Sequence, residues 1–109
     1  LHLSPDMDLG RDDSVFVPFM GVNAATVPSL SRMAKLVGAQ VVPVVTRLTA
    51  EGYDIEVGQP WGDFPSDDAL ADTVRMNEWL AQYIRLEPSQ YYWVHKRFKT
   101  RPEGEPGVF

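Results

Sequence analysis

The chain has 109 residues, enough for one small domain, and it contains no cysteine, which excludes disulfide scaffolds, thiolate metal sites and thiol nucleophiles. Ten Lys and Arg against fifteen Asp and Glu give a formal charge of -5, against the basic balance expected of a nucleic-acid binder. Hydrophobic residues make up 44% and charged residues 23%, an ordinary globular mixture, and no apolar run approaches the roughly 20 residues of a membrane span.

The first apolar run, Ser14 to Met20, is rich in β-branched and aromatic residues. It predicts a buried strand near Val15–Phe19, with Pro18 at its end or at an irregularity. The small residues of Gly21 to Thr26 read as a turn from strand to helix. Their approachable N–H groups have an anion-binding geometry, although many such turns bind nothing. Leu30, Met33, Ala34 and Val37 recur at helical spacing and predict a helix over Pro28–Val37, capped by Thr26 and stopped by Gly38. A second apolar run predicts a strand over Gln40–Val45, parallel to the first in a βαβ unit. Tyr53, Ile55 and Val57 alternate with Asp54 and Glu56, a strand with one wet face hairpinned to its predecessor through Thr49–Gly52. Gly58 to Pro65 reads as loop. Ser66 should cap a long helix over Asp67–Arg85, with Leu70, Val74, Met76, Leu80, Ala81, Tyr83 and Ile84 on its apolar face, ending before Pro88. Tyr91 to Val94 suits a strand or a packed extended segment. The predicted class is therefore α/β.

Charge is unevenly spread. Asp6, Asp8, Asp12 and Asp13 cluster with one base, Arg11, whereas Ser89 to Arg101 holds Lys96, Arg97, Lys99 and Arg101 beside His95, with no acid. The basic strip is either solvated surface or a site for phosphate, an acidic headgroup or an acidic partner. If the segment is extended, Arg97, Lys99 and Arg101 share one side and Phe98 anchors the other in the core. Pairing with the acidic segment Asp6–Asp13 is the competing reading, and it would bring the two ends of the chain together. Trp93 suits core packing or, with Tyr91 and Tyr92, a membrane interface. Arg47 follows an expected buried strand, where ligands of open α/β sheets gather. Arg11 either pairs with Asp6 and Asp8 or binds substrate. Asp6-x-Asp8 alone is a weak metal motif, and no cofactor fingerprint is present. Of the two histidines, neither has an acid five residues on: Met7 follows His2 and Thr100 follows His95 at that spacing.

Several of these segments together resemble a known family. They are Asp6-x-Asp8-x-Gly10-Arg11, Val15 to Gly21, Ala24-Ala25-Thr26, Gly38-Ala39-x-Val41-Val42-Pro43 and the closing Gln90 to Pro102. The chain resembles the late lipid A acyltransferases of Gram-negative bacteria, which transfer lauroyl or myristoyl groups. The resemblance implies a partial glycerolipid-acyltransferase-like fold, with this chain as its C-terminal portion. The membrane anchor and the catalytic His-x-x-x-x-Glu would lie outside it. It implies acyl carrier protein as donor, a phosphorylated lipid A precursor as acceptor, and the cytoplasmic face of the inner membrane as location. Arg11, Arg47, His95, Arg97, Lys99 and Arg101 become candidate substrate-binding residues, with no catalytic base, cofactor or metal in the chain. The isolated chain is expected to be inactive. It should expose an apolar surface on the sheet or the first helix and self-associate. The rival reading is a free-standing α/β module binding an acidic lipid or protein.

Overall fold

A computed structural model describes residues 2–108. Strand β1 (Val15–Phe19) forms where the apolar run predicts it, but the chain then turns straight back into β2 (Val22–Thr26). Met20 and Gly21 both take positive φ, 52° and 81°. That is the two-residue turn whose twist matches antiparallel strands, and glycine enters it without strain. Val15 pairs with Thr26 and Phe19 with Val22. The expected anion-binding turn at Gly21–Thr26 is thus a strand, and most of its backbone is committed to a ladder.

Helix α1 (Ser29–Val37) follows, and Gly38 closes it with a left-handed φ of 65°, its N–H donating to the Ala34 carbonyl. Thr26 does not cap it; the Thr26 hydroxyl donates within β2, to the Ala24 carbonyl. Strands β3 (Val44–Thr49) and β4 (Gly52–Val57) make the expected hairpin. Val41 to Pro43 stay outside β3, because Pro43 has no N–H to give a ladder. Their carbonyls still accept, from Trp61 to Val41 and from Gly58 to Pro43. Each sheet has two antiparallel strands, so the predicted parallel βαβ unit is absent. The class, α/β, stands.

Helix α2 (Ala69–Leu86) starts two residues later than predicted. Its cap is Asp68, whose carboxylate accepts from the Leu70 and Ala71 N–H groups. Ser66 instead joins a buried knot with Ser31, both hydroxyls donating to the Asp72 carboxylate at 2.8 and 2.6 Å and fastening α1 to α2. The core lies between the first hairpin and α2, where Phe19, Ala24, Ala81 and Ile84 cluster with Met20, Leu80, Tyr91 and Phe98 against them. Leu70 is exposed rather than inward, as are Met33, Leu36 and Val37 of α1. The expected uncovered apolar surface on the first helix is therefore present.

Candidate functional site at the joined chain ends

The acidic N-terminal segment and the basic C-terminal segment meet, and Asp8 is their joint. Asp8 is 2% exposed. Its carboxylate accepts from the Gly10 N–H at 3.0 Å, the Thr100 N–H at 2.8 Å and the Thr100 hydroxyl at 2.8 Å. Its own N–H donates to His95 Nε2 at 3.0 Å. Burial pushes the Asp8 carboxyl up, but the N–H groups of Thr100 and Gly10, the Thr100 hydroxyl and the charge of Lys99 outweigh it. The carboxyl is held below the ordinary range. Asp8 is a satisfied structural carboxylate, and among the described residues no group of three potential ligands clusters for a metal.

The residues from Tyr91 to Thr100 run as successive turns rather than as an extended segment. Arg97, Lys99 and Arg101 consequently do not share a face. Arg97 points inward and is 2% exposed. Its guanidinium donates to the Ala25 carbonyl and to Thr26 Oγ1, both at 2.7 Å, and lies 5.3 Å from the Phe19 ring centroid. Thr26 Oγ1 also accepts from Asn77 Nδ2 at 3.2 Å, so one hydroxyl links the C-terminal segment, β2 and α2. Burial pulls the Arg97 pKa down, and the negative charges of Asp6 and Asp8 oppose it. The guanidinium stays charged. Beside it, burial and the negative charge of Asp6 push the Tyr91 phenol up. Arg97 Nε is buried without a hydrogen-bond partner among the described residues.

Phe98 does anchor the segment, its ring 5.7 Å from that of Phe19. Arg101 runs along β2, donating to the Asn23 and Pro106 carbonyls and pairing with Glu105 at 2.7 Å. Arg11 is exposed, donates to the Arg101 carbonyl and lies over the Phe16 ring. Lys99 is exposed at the same joint. Tyr92 and Trp93 are exposed too, with Trp93 donating its indole N–H to the Pro88 carbonyl. Arg47 belongs elsewhere: it lies within β3 rather than after a strand end, ion-paired to Glu56 at 2.7 Å. The joint thus gathers His95, Arg97, Lys99, Arg101 and Arg11, and leaves Arg47 out. Asp8, Thr26 and Thr100 were not among the candidates, yet they organise it. Only the opposite charges of the two ends signalled their meeting.

Chemically, the joint offers outward cations, Lys99 and Arg11, on a frame fixed by Asp8 and Arg97.

Comparison with known proteins agrees with the motifs. The sequence profile of the family described as "Bacterial lipid A biosynthesis acyltransferase" matches residues 1–100. The chain is 42% identical to the lipid A biosynthesis lauroyltransferase of Escherichia coli K12, over 97% of this chain and 36% of that protein. It is 39% identical to a lipid A biosynthesis acyltransferase of Haemophilus influenzae, over 93% of this chain and 32% of the relative. Identity to the lipid A biosynthesis palmitoleoyltransferase of E. coli K12 is 36%, over 97% and 35%. The chain spans about a third of the length of these curated relatives.

Proposed function

The chain belongs to the bacterial lipid A biosynthesis acyltransferase family, and from that premise we propose that it is the C-terminal portion of an enzyme acylating a lipid A precursor. The donor is an acyl carrier protein thioester, and the acceptor is a hydroxyl of a phosphorylated, acylated disaccharide. The reaction takes place at the cytoplasmic face of the inner membrane. No helix among the described residues is long and apolar enough to cross a membrane. On this reading, contact with the bilayer comes from the surface near Tyr92 and Trp93, where aromatic rings suit the headgroup level.

The observation that carries the assignment of roles is the joint itself. Asp8 and Arg97 are consumed by internal hydrogen bonds, whereas Lys99 and Arg11 stand outward on the frame those bonds create. Lys99 and Arg11 are the acceptor-phosphate contacts; Arg97, His95 and Arg101 position them. Arg47 stays a weaker candidate, since Glu56 already neutralises it. A cation meeting phosphate in a partly dry site forms charge-assisted hydrogen bonds, each worth about 1.5–3 kcal/mol. Family membership favours this enzyme part over a free-standing binding module.

Two measurements test the reading. In the complete enzyme, Lys99→Ala raises KM for the acceptor by about tenfold, the equivalent of ~1.4 kcal/mol, and leaves the melting temperature in place. Unchanged acceptor kinetics in both Lys99→Ala and Arg11→Ala would remove the phosphate role. The 109-residue chain alone transfers no acyl group, because neither His2 nor His95 has an acid at the spacing of the family's base. Turnover by that chain, above a blank, would show the mechanism to be misassigned.

A further inference from the structure

The second hairpin turns an apolar face to solvent. Register places Val44, Thr46 and Leu48 of β3 directly opposite Val57, Ile55 and Tyr53 of β4, so all six side chains stand on one face. That face is exposed: Val44 53%, Leu48 59%, Tyr53 71%, Ile55 66% and Val57 63%. The opposite face carries the polar residues and is tied to the helix end. Arg47 pairs with Glu56, Glu56 accepts from the Tyr83 hydroxyl, and the Gln90 amide bonds the Leu48 backbone through both its N–H and its carbonyl. The alternation of Tyr53, Ile55 and Val57 with Asp54 and Glu56 predicted one wet face and one dry one. In the structure the apolar face is open to solvent, and Asp54 and Glu56 on the other face of β4 are exposed as well.

We infer that this face, together with the outer edge of β4, is an internal docking surface. Its occupant is the polypeptide of the complete enzyme lying outside these 109 residues, which extends this sheet. The inference rests on the family reading above. Three observations select that occupant. The curated relatives that match are about three times as long as the chain, so polypeptide of the right origin exists to cover the face. The outward backbone groups of Tyr53 to Val57 receive no hydrogen bond among the described residues. A two-stranded sheet with an apolar face is marginal until a further strand or layer is added. A lipid surface meets the apolar side chains but not the open edge, since unpaired N–H and C=O groups are strongly disfavoured in hydrocarbon. The net charge of -5 also disfavours anionic lipid. The face is continuous at Val44 with an open groove of about 720 Å³, also lined by Met33, Leu36 and Val37 of α1. The uncovered side of α1 and the hairpin therefore form one surface.

The test uses the absence of native cysteine in the chain. Ile55→Cys and Thr46→Cys introduce a thiol on the face at exposed positions, where folding is little affected, and Glu103→Cys serves as the control. Labelling by a water-soluble maleimide is followed by peptide mass spectrometry, both in the 109-residue chain at low micromolar concentration and in the complete enzyme. The expected result is that positions 55 and 46 react readily in the short chain and at least about tenfold more slowly in the complete enzyme, while position 103 reacts alike in both. Equal labelling at 55 and 46 in both proteins overturns the inference. With transfer activity intact, that outcome leaves the family reading standing. Co-sedimentation of the short chain with phosphatidylcholine–phosphatidylglycerol vesicles, abolished by Ile55→Asp, also overturns it, in favour of a lipid-facing surface.

Discussion

Arg97→Ala lowers the unfolding free energy of the 109-residue chain by about 2–4 kcal/mol, one of the two largest single-residue effects expected in this chain. The side chain is buried, and its two donors satisfy the Ala25 carbonyl and Thr26 Oγ1. Each charge-assisted bond is worth about 1.5–3 kcal/mol, partly offset by the cost of removing a guanidinium from water. Truncation also leaves a void against Phe19 and a carbonyl without that donor. For a domain near this size the loss corresponds to a fall in melting temperature of roughly 10–20 °C. Arg97→Lys recovers less than half of it, because an ammonium cannot reproduce the planar two-pronged fit. Thermal unfolding followed by circular dichroism decides the matter. A melting temperature within about 2 °C of wild type for Arg97→Ala would mean that the C-terminal segment is held by Phe98 and Asp8 alone. The companion Lys99→Ala, at an exposed position, changes stability by about 0.5 kcal/mol or less. The pair separates a residue that builds the frame from one that uses it.

Asp8→Asn produces the second large effect, and its size depends on pH. The carboxylate accepts three hydrogen bonds, and the two from Thr100 join the two ends of the chain. An amide keeps one acceptor oxygen and turns an N–H₂ toward the donors of the other. The expected loss is about 2–4 kcal/mol at neutral pH. Because the folded carboxyl titrates below its unfolded value, the unfolded state binds the proton more readily. The stabilisation is therefore fully present above the unfolded value of about 3.9 and disappears as pH falls through the lower folded value. Asp72 is shifted in the same direction, since the Ser31 and Ser66 donors outweigh its burial, so wild type and variant share that acid limb. Their difference isolates Asp8. Denaturant unfolding at a series of pH values should show a constant gap above about pH 5 that narrows below about pH 4. A gap independent of pH down to about pH 2 would show that the charge on Asp8 contributes nothing to the joint.

What could be read from the amino acids alone was whatever depends on neighbours a few residues away. Helix α2 announced itself through repeated apolar spacing and the proline beyond its end. Gly38 ended α1 as expected, since a left-handed residue after a helix favours glycine for reasons internal to its own backbone. The β3–β4 hairpin followed from strict alternation and its glycine-containing turn. Family membership was legible in the same local way, as contiguous motifs from Asp6 to Pro102. The first hairpin escaped because Asn23, Ala24 and Ala25 are poor strand formers and Met20-Gly21 is not a usual turn pair. β2 forms because Ala24 can bury against α2, and composition cannot report that. The direction of Arg97 was decided further away still. Alternation along a strand put it beside Lys99 and Arg101, but the segment folds as turns, and the acceptors that draw the guanidinium inward lie 71 and 72 residues earlier. Asp8 and Thr100 are separated by 92 residues. Opposite charge at the two ends made their meeting favourable. Only the packed hairpin and helix, by removing water from those groups, turned a diffuse attraction into specific hydrogen bonds and divided the basic strip into residues that hold the structure and residues that face outward.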